Sequence, residues 1–94
     1  MKSIDLKDYN VNMGQLIDVR HPLEYNKGHD PRSINIYADK LLTSPSKYLN
    51  KTSTYYIICE KGILSLRVVR MLTILGYKAL QVKHWKKTNF FVKL

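Results

Sequence analysis

The chain has 94 residues, 45% of them hydrophobic and 24% charged, a composition typical of one small folded domain and not of a disordered segment. It carries no run of about 18 apolar residues and no signal-like apolar stretch after Met1, so we expect a cytoplasmic protein that does not contact membranes. The formal net charge of +9 favours anionic ligands of any size without selecting among them.

Short elements are predicted at the start of the chain. Residues 4–6 alternate apolar and polar side chains, as a short edge strand does, and residues 15–19 form an apolar run that we interpret as a buried strand. This strand would deliver Asp18 and Arg20 to its C-terminal edge before Pro22 ends it, because proline has no amide hydrogen to donate to a sheet.

The middle of the chain has weaker signals. Residues 22–25 predict a single helical turn, and residues 33–36 predict a short strand after a turn-rich loop. Two short helical pieces are predicted at residues 38–42 and 46–49, with Pro45 between them.

The clearest pattern lies in the second half of the chain. Residues 55–58 form an apolar run that ends at Cys59, the only cysteine. Residues 63–75 form a dense apolar segment, which predicts a helix mostly buried against a sheet and ended by Gly76. Residues 78–82 predict a last strand.

The order of these elements predicts the fold class. Strands alternate with helices, and parallel strands need crossovers of this kind, so we expect residues 1–94 to form one α/β domain with a parallel core sheet. Arg67 and Arg70 interrupt the apolar helix at a three-residue spacing, which indicates a basic stripe that faces water.

Cys59 stands where the predicted central strand turns into the helix. In a parallel sheet the loop at this point aims its backbone amides at whatever lies above it, and such amides bind anions and stabilise a thiolate. Lys61 can add positive charge, and Gly62 allows a tight turn or an unobstructed amide. The alternative is that Cys59 is a small buried apolar residue without chemistry. A lone thiol forms no internal disulfide and is compatible with a reducing compartment.

The chain resembles the rhodanese-like domain, a sulfurtransferase family, in its small single-domain form. The likeness spans roughly residues 16–82 and is carried by ordered motifs: Leu16-Ile17-Asp18-Val19-Arg20 with Glu24 and Tyr25; Gly28-His29-Asp30-Pro31 with Ile34, Asn35 and Ile36; Cys59 to Ser65; and Leu75-Gly76-Tyr77 before Val82.

The resemblance implies a small three-layer fold, with a central, mostly parallel sheet flanked by helices. It implies that Cys59 takes a sulfane sulfur from thiosulfate or a persulfide donor and passes it, as a cysteine persulfide, to a thiol or other nucleophile, which can belong to a protein sulfur carrier. No cofactor is implied. The implied active-site loop contains Glu60, Lys61, Gly62, Ile63, Leu64 and Ser65.

By the same resemblance, four charged or polar residues lie near the strand ends around this loop: Asp18, Arg20, Glu24 and His29. An aspartate and an arginine so placed more often form ion pairs that fix loop geometry than take part in chemistry. We expect no metal site, because no histidine or cysteine stands at ligand spacing from His29.

The chain departs from the family pattern at three places. Leu64 occupies the position of an arginine that holds the donor's anionic group in many active members. Lys83 and His84 replace the usual Gly-Gly turn after the last strand. Asp30 and Arg32 stand where the family tends to have an apolar residue and a glycine.

Three other functions compete with sulfur transfer. A cysteine phosphatase or arsenate reductase places an arginine six residues after its cysteine, but here that residue is Ser65. A rhodanese-like fold used as a binding or regulatory module is favoured by Leu64. Nucleic-acid binding through the basic, aromatic tail is not expected, because Trp85, Phe90 and Phe91 more simply pack a closing segment onto the core.

Overall fold

The computed structural model describes residues 3–85. It has one five-stranded sheet, and helices connect the strands along the chain. The strands are β1 (Ser3–Asp5), β2 (Gln15–Asp18), β3 (Ser33–Asn35), β4 (Thr54–Ile58) and β5 (Lys78–Lys83). The helices are α1 (Pro22–Lys27), α2 (Ala38–Thr43), α3 (Pro45–Tyr48) and α4 (Ile63–Ile74), and a 3₁₀ turn covers Leu6–Asp8.

The strands lie in the order β1-β5-β4-β2-β3, and every neighbouring pair is parallel. This arrangement confirms the predicted α/β class with a parallel core sheet. β4 lies in the centre, where Asp18 of β2 is level with Ile58. The chain therefore leaves the middle of the sheet at Cys59, beside the end of β2.

Both faces of the sheet are covered, and the alternation of side chains along β4 separates two core clusters. Tyr55 and Ile57 point to the face that packs against α2 and α4, where the cluster also includes Leu41, Val68, Val69 and Leu72. Tyr56 and Ile58 point to the opposite face and pack with Leu6, Tyr9, Leu16 and Val82.

Helix α4 matches its predicted position but is less buried than predicted. Its inner face is formed by Ser65, Val68, Val69 and Leu72. Ile63 and Ile74 are 76% and 78% exposed, because the helix contacts the sheet on one side only. The helix ends at Ile74 with Leu75 as its C-cap, and the amide of Gly76 donates to the carbonyl of Thr73.

The shorter elements follow the predictions with small shifts. Helix α1 runs for six residues instead of a single turn, and Pro45 begins α3 instead of only separating two helical pieces. The predicted edge strand is β1. Within residues 3–85, no helix has the length and apolar character needed to cross a bilayer.

A side-chain contact connects β1 to the segment after β5. The amide of Lys7 donates to Asp5, and His84 also hydrogen-bonds the same carboxylate. These two interactions hold the pKa of Asp5 below its ordinary value of 3.8. His84 adopts a left-handed φ of 66°, which is uncommon outside glycine.

Gly14 lies directly before β2, and a side chain at this position would collide with the neighbouring strand. A Cβ atom on Gly14 would stand 2.3 Å from the carbonyl oxygen of Thr54. We therefore predict that Gly14→Ala lowers the free energy of unfolding by about 2 kcal/mol, a typical cost of overpacking. Urea unfolding followed by far-UV circular dichroism measures this loss.

Asn12→Ala is the control for this prediction, because Asn12 is exposed in the same loop. Its effect should stay below about 0.5 kcal/mol. Equal losses in the two variants would show that the loop, and not the close approach of Gly14 to β4, sets the stability.

Candidate active site

The centre of the candidate site is Cys59, the first residue after β4. Its side chain belongs to the core cluster on the α4 side of the sheet and is only 4% exposed. The backbone amide of Ser65 donates a hydrogen bond to its Sγ atom over 3.1 Å. An amide donor at this distance can stabilise negative charge that develops on the sulfur during a reaction.

The loop after Cys59 is shorter than the six residues implied by the resemblance. Gly62 takes a left-handed φ of 81° and caps α4, so Ile63 and Leu64 already form its first turn. Among residues 3–85, the amides of residues 60–64 donate to no other group. The loop and the start of the helix therefore present free amide donors close to the sulfur.

Two buried polar side chains hold this loop in place. The Ser65 hydroxyl donates to the carbonyl of Gly62, and the Gln81 side-chain amide donates to the same carbonyl over 2.8 Å and to the Ser65 hydroxyl over 3.1 Å. Gln81 lies on β5, level with Ile57 of β4. The loop is thus fixed to the strand beside β4.

Gln81 was not predicted as a site residue. The signal was available in the alternation of β5, because Gln81 shares the face of Ala79, which packs towards α4. A glutamine on a buried face needs a hydrogen-bond partner, and here the partners are in the active-site loop.

Asp18 and Arg20 form a buried ion pair at the end of β2. Their side chains are 1% and 8% exposed, and the Arg20 Nη2 atom lies 2.9 Å from Asp18 Oδ2. Arg20 also donates to the carbonyl of Gly28, and its guanidinium lies 4.7 Å from the ring centroid of Trp85. The side chain of Asn35 donates to the carbonyls of Asp18 and Arg20. These contacts fix the backbone beside Cys59.

Two open clefts meet at Cys59, and they share Glu60, Lys61 and Ile63. We call the first the Trp85 cleft; it has a volume of about 580 Å³ and is also lined by Gly62, Leu66, Gln81, Val82, Lys83, His84 and Trp85. We call the second the Arg67 cleft; it has a volume of about 430 Å³ and is also lined by Arg20, His21, Glu24, Leu64 and Arg67.

The residues expected around the loop do not all reach these clefts. Arg20 and Glu24 line the Arg67 cleft, and Asp18 touches the site through Arg20. His29 lines neither cleft: its ring stacks on Tyr25 at 3.7 Å, and its Nδ1 atom hydrogen-bonds the Tyr25 carbonyl. The contacts of His29 are therefore with Tyr25 of α1, and none of the residues at Cys59 is among them.

Leu64 and Ser65 account for two of the predicted loop positions. Leu64 is half-buried and packs against the core cluster on the α4 side, while also lining the Arg67 cleft. Ser65 is fully buried. This chain has no guanidinium at position 64 or at position 65.

The remaining predictions concern a metal site and the aromatic tail. No group of three or more His, Cys, Asp or Glu side chains within residues 3–85 has a metal-binding arrangement. Trp85 packs against the core cluster opposite α4. Phe90 and Phe91 of the aromatic tail lie beyond residue 85, outside the part of the chain that the structure describes.

Comparisons with known proteins agree with this geometry. A family model described as a rhodanese-like domain matches residues 4–85. A rhodanese-related protein from Thermoplasma volcanium is 32% identical, with a TM-score of 0.78 over 88% of this chain and 84% of that one. A rhodanese-like domain protein from Staphylococcus aureus is 28% identical, with a TM-score of 0.79 over the whole of both chains.

A third solved structure, described as rhodanese with anions from E. coli, is 25% identical to this chain. Its TM-score is 0.70, and the match covers 85% of this chain and 98% of that one. None of the curated proteins matches the sequence.

The ion pair beside Cys59 gives a prediction about stability. Asp18→Asn keeps the shape of the side chain but leaves Arg20 as a buried charge without its counter-charge, so the free energy of unfolding should fall by about 3 kcal/mol. Urea unfolding followed by the fluorescence of Trp85, the only tryptophan, measures the loss at a ring that contacts Arg20.

The exposed pair between Lys27 and Glu24 provides the control. Lys27→Gln removes that pair and should cost at most about 0.5 kcal/mol, because water screens both charges. A comparable loss in Asp18→Asn would mean that the buried pair contributes no more than an exposed one.

Proposed function

We propose that this chain, which belongs to the rhodanese-like domain family, is a sulfurtransferase that carries sulfane sulfur as a persulfide on Cys59. The observation that carries the proposal is the hydrogen bond from the Ser65 amide to the Cys59 Sγ atom, at the end of the central strand. It gives the sulfur a fixed donor for negative charge. The site carries a negative charge as the Cys59 thiolate before sulfur uptake and as the persulfide anion after it.

In the first step, the Cys59 thiolate attacks the outer sulfur of thiosulfate. A bond forms between Sγ and that sulfur, the bond from that sulfur to the sulfonate breaks, and sulfite leaves with the electron pair. The protein keeps a persulfide with one negative charge on its terminal sulfur. Charge is conserved, because a thiolate and a dianion become a persulfide anion and a dianion.

In the second step, a nucleophilic acceptor such as a thiolate attacks the terminal sulfur. The sulfur–sulfur bond to Cys59 breaks, and the electron pair returns to Sγ as the thiolate. No proton or electron is gained or lost in the cycle. Because donor and acceptor react separately with one cysteine, the kinetics should be ping-pong.

The negative charge of the persulfide lies on its terminal sulfur, one bond beyond Sγ. The amides of residues 60–64 donate to no other described group and lead into the N-terminus of α4, where negative charge is stabilised. The related E. coli protein, described as rhodanese with anions, is consistent with a site of this kind. Lys61 is exposed and lines both clefts, so it can add attraction over a longer range.

A binding or regulatory module without catalysis is the second candidate. Two observations favour it: Leu64 is apolar and turned towards the core, and Cys59 is almost fully buried. In this case Cys59 would serve packing alone, and its replacement would leave the protein's role intact.

Sulfur uptake separates the two candidates. Incubation with thiosulfate should raise the intact mass of the protein by one sulfur atom, and dithiothreitol should remove it. Cys59→Ser should abolish the gain, because serine offers no nucleophile of comparable reactivity. Intact-mass spectrometry measures each species.

Each result of this experiment has a defined meaning. A wild-type protein that gains no sulfur from thiosulfate or from an organic persulfide contradicts the transferase proposal and supports the module. A gain that persists in Cys59→Ser would place the reactive group elsewhere in the chain.

The role of Lys61 is tested by Lys61→Ala. We expect sulfur uptake to slow by about two- to fivefold, the effect of one exposed charge on an anionic donor. Lys47→Ala is the matched control, because Lys47 is equally exposed on α3 but distant in sequence from the loop. If stopped-flow or quench-flow rates are the same for both variants, the Lys61 charge contributes nothing to donor binding.

A further inference from the structure

We propose that Arg67 recognises the anionic group of the sulfur donor from the Arg67 cleft, a role that no side chain at position 64 can fill in this chain. The inference rests on the proposed function, because it names the substrate class of the same site: a donor with a sulfonate or similar oxyanion attached to the sulfur that is transferred.

The phase of α4 brings Arg67 to the site. Leu64 and Arg67 are three residues apart in the helix, so they lie on the same face one turn from each other. Both line the cleft that also contains Cys59. A long arginine side chain on the second turn can therefore reach the space in front of Leu64 from one turn further along.

Arg67 has its hydrogen-bonding capacity available. It is exposed, and within residues 3–85 it forms no ion pair or hydrogen bond. Arg20, the other arginine of the cleft, is committed to Asp18 and to the carbonyl of Gly28. The planar guanidinium of Arg67 is thus the group in this cleft that can grip an oxyanion with two parallel hydrogen bonds.

The rest of the lining suits an anion held at one end. His21 and Lys61 add basic groups, while Glu24 pairs with Lys27 on α1. Glu60 is exposed beside the sulfur and opposes an anion that comes close to it. An oxyanion is therefore best placed at the Arg67 end of the cleft, with its transferable sulfur directed towards Cys59.

The two clefts differ in the chemistry they offer. The Trp85 cleft has apolar walls from Ile63, Leu66, Val82 and Trp85, and its cations are Lys83 and the shared Lys61. Its His84 side chain is engaged with Asp5. The Arg67 cleft contains both Cys59 and the Arg67 guanidinium, which has no partner within residues 3–85. We therefore assign the donor's anionic group to the Arg67 cleft.

Binding without turnover provides the first test. In a Cys59→Ser background, which cannot take up sulfur, thiosulfate is titrated at low salt and followed by amide chemical shifts. Arg67→Gln should raise the Kd for thiosulfate about tenfold, the effect of losing one charge-assisted contact at a partly exposed site. Arg67→Lys should restore part of the affinity, because it keeps the charge but not the planar fork.

Arg70→Gln is the matched control. It removes the same charge from the same exposed stripe, but Arg70 lines neither cleft at Cys59. An equal rise in Kd for Arg67→Gln and Arg70→Gln would reduce the effect to net charge and overturn the proposal. So would the absence of thiosulfate binding in the Cys59→Ser protein.

Turnover provides the second test. In the wild-type background, Arg67→Gln should raise KM for thiosulfate about tenfold, whereas Arg70→Gln should leave KM unchanged. Failure of the proposed function is seen separately, as no sulfur gain in the wild-type protein. In that event the binding titration still decides whether Arg67 forms an anion site.

Discussion

The buried pair of Asp18 and Arg20 is the interaction on which the geometry around Cys59 depends. Burying two charges gains little stability in itself, since desolvation offsets most of their attraction. Its value is positional: Arg20 fastens the end of β2 to the carbonyl of Gly28 and lies against the ring of Trp85. Arg20 lines one cleft and Trp85 lines the other. One ion pair therefore sets a wall of each.

Cys59 is a packing residue, and the proposed sulfur chemistry uses the same side chain. Its side chain completes a core cluster, so water offers few hydrogen bonds to the sulfur. The amide of Ser65 supplies the compensating donor, and Gln81 holds Ser65 where that amide can reach. A reactive sulfur at this position thus depends on a glutamine of the neighbouring strand, which explains a polar residue on the buried face of β5.

The sequence predicts the fold better than it predicts the site. The apolar run before Cys59 and the dense helix after it identify β4 and α4, because strand and helix periods differ clearly there. The partners of Cys59 depend on strand order, which a single sequence does not contain, so Gln81 escapes notice although its alternation is visible. His29 is grouped with Arg20 because both lie in motifs of the resemblance, but its contacts are with Tyr25 and it lines neither cleft.

Departures from the family pattern make sense as linked changes in one small chain. Where the family has a Gly-Gly turn, His84 takes a left-handed conformation and hydrogen-bonds Asp5, so a side-chain contact stabilises a turn that glycine would form without strain. Where many members have an arginine, Leu64 fills the edge of the core, and the next residue on the same helical face is Arg67. In the proposed arrangement, the cation that binds the donor lies one helical turn after position 64, and its side chain reaches the cleft from the helix.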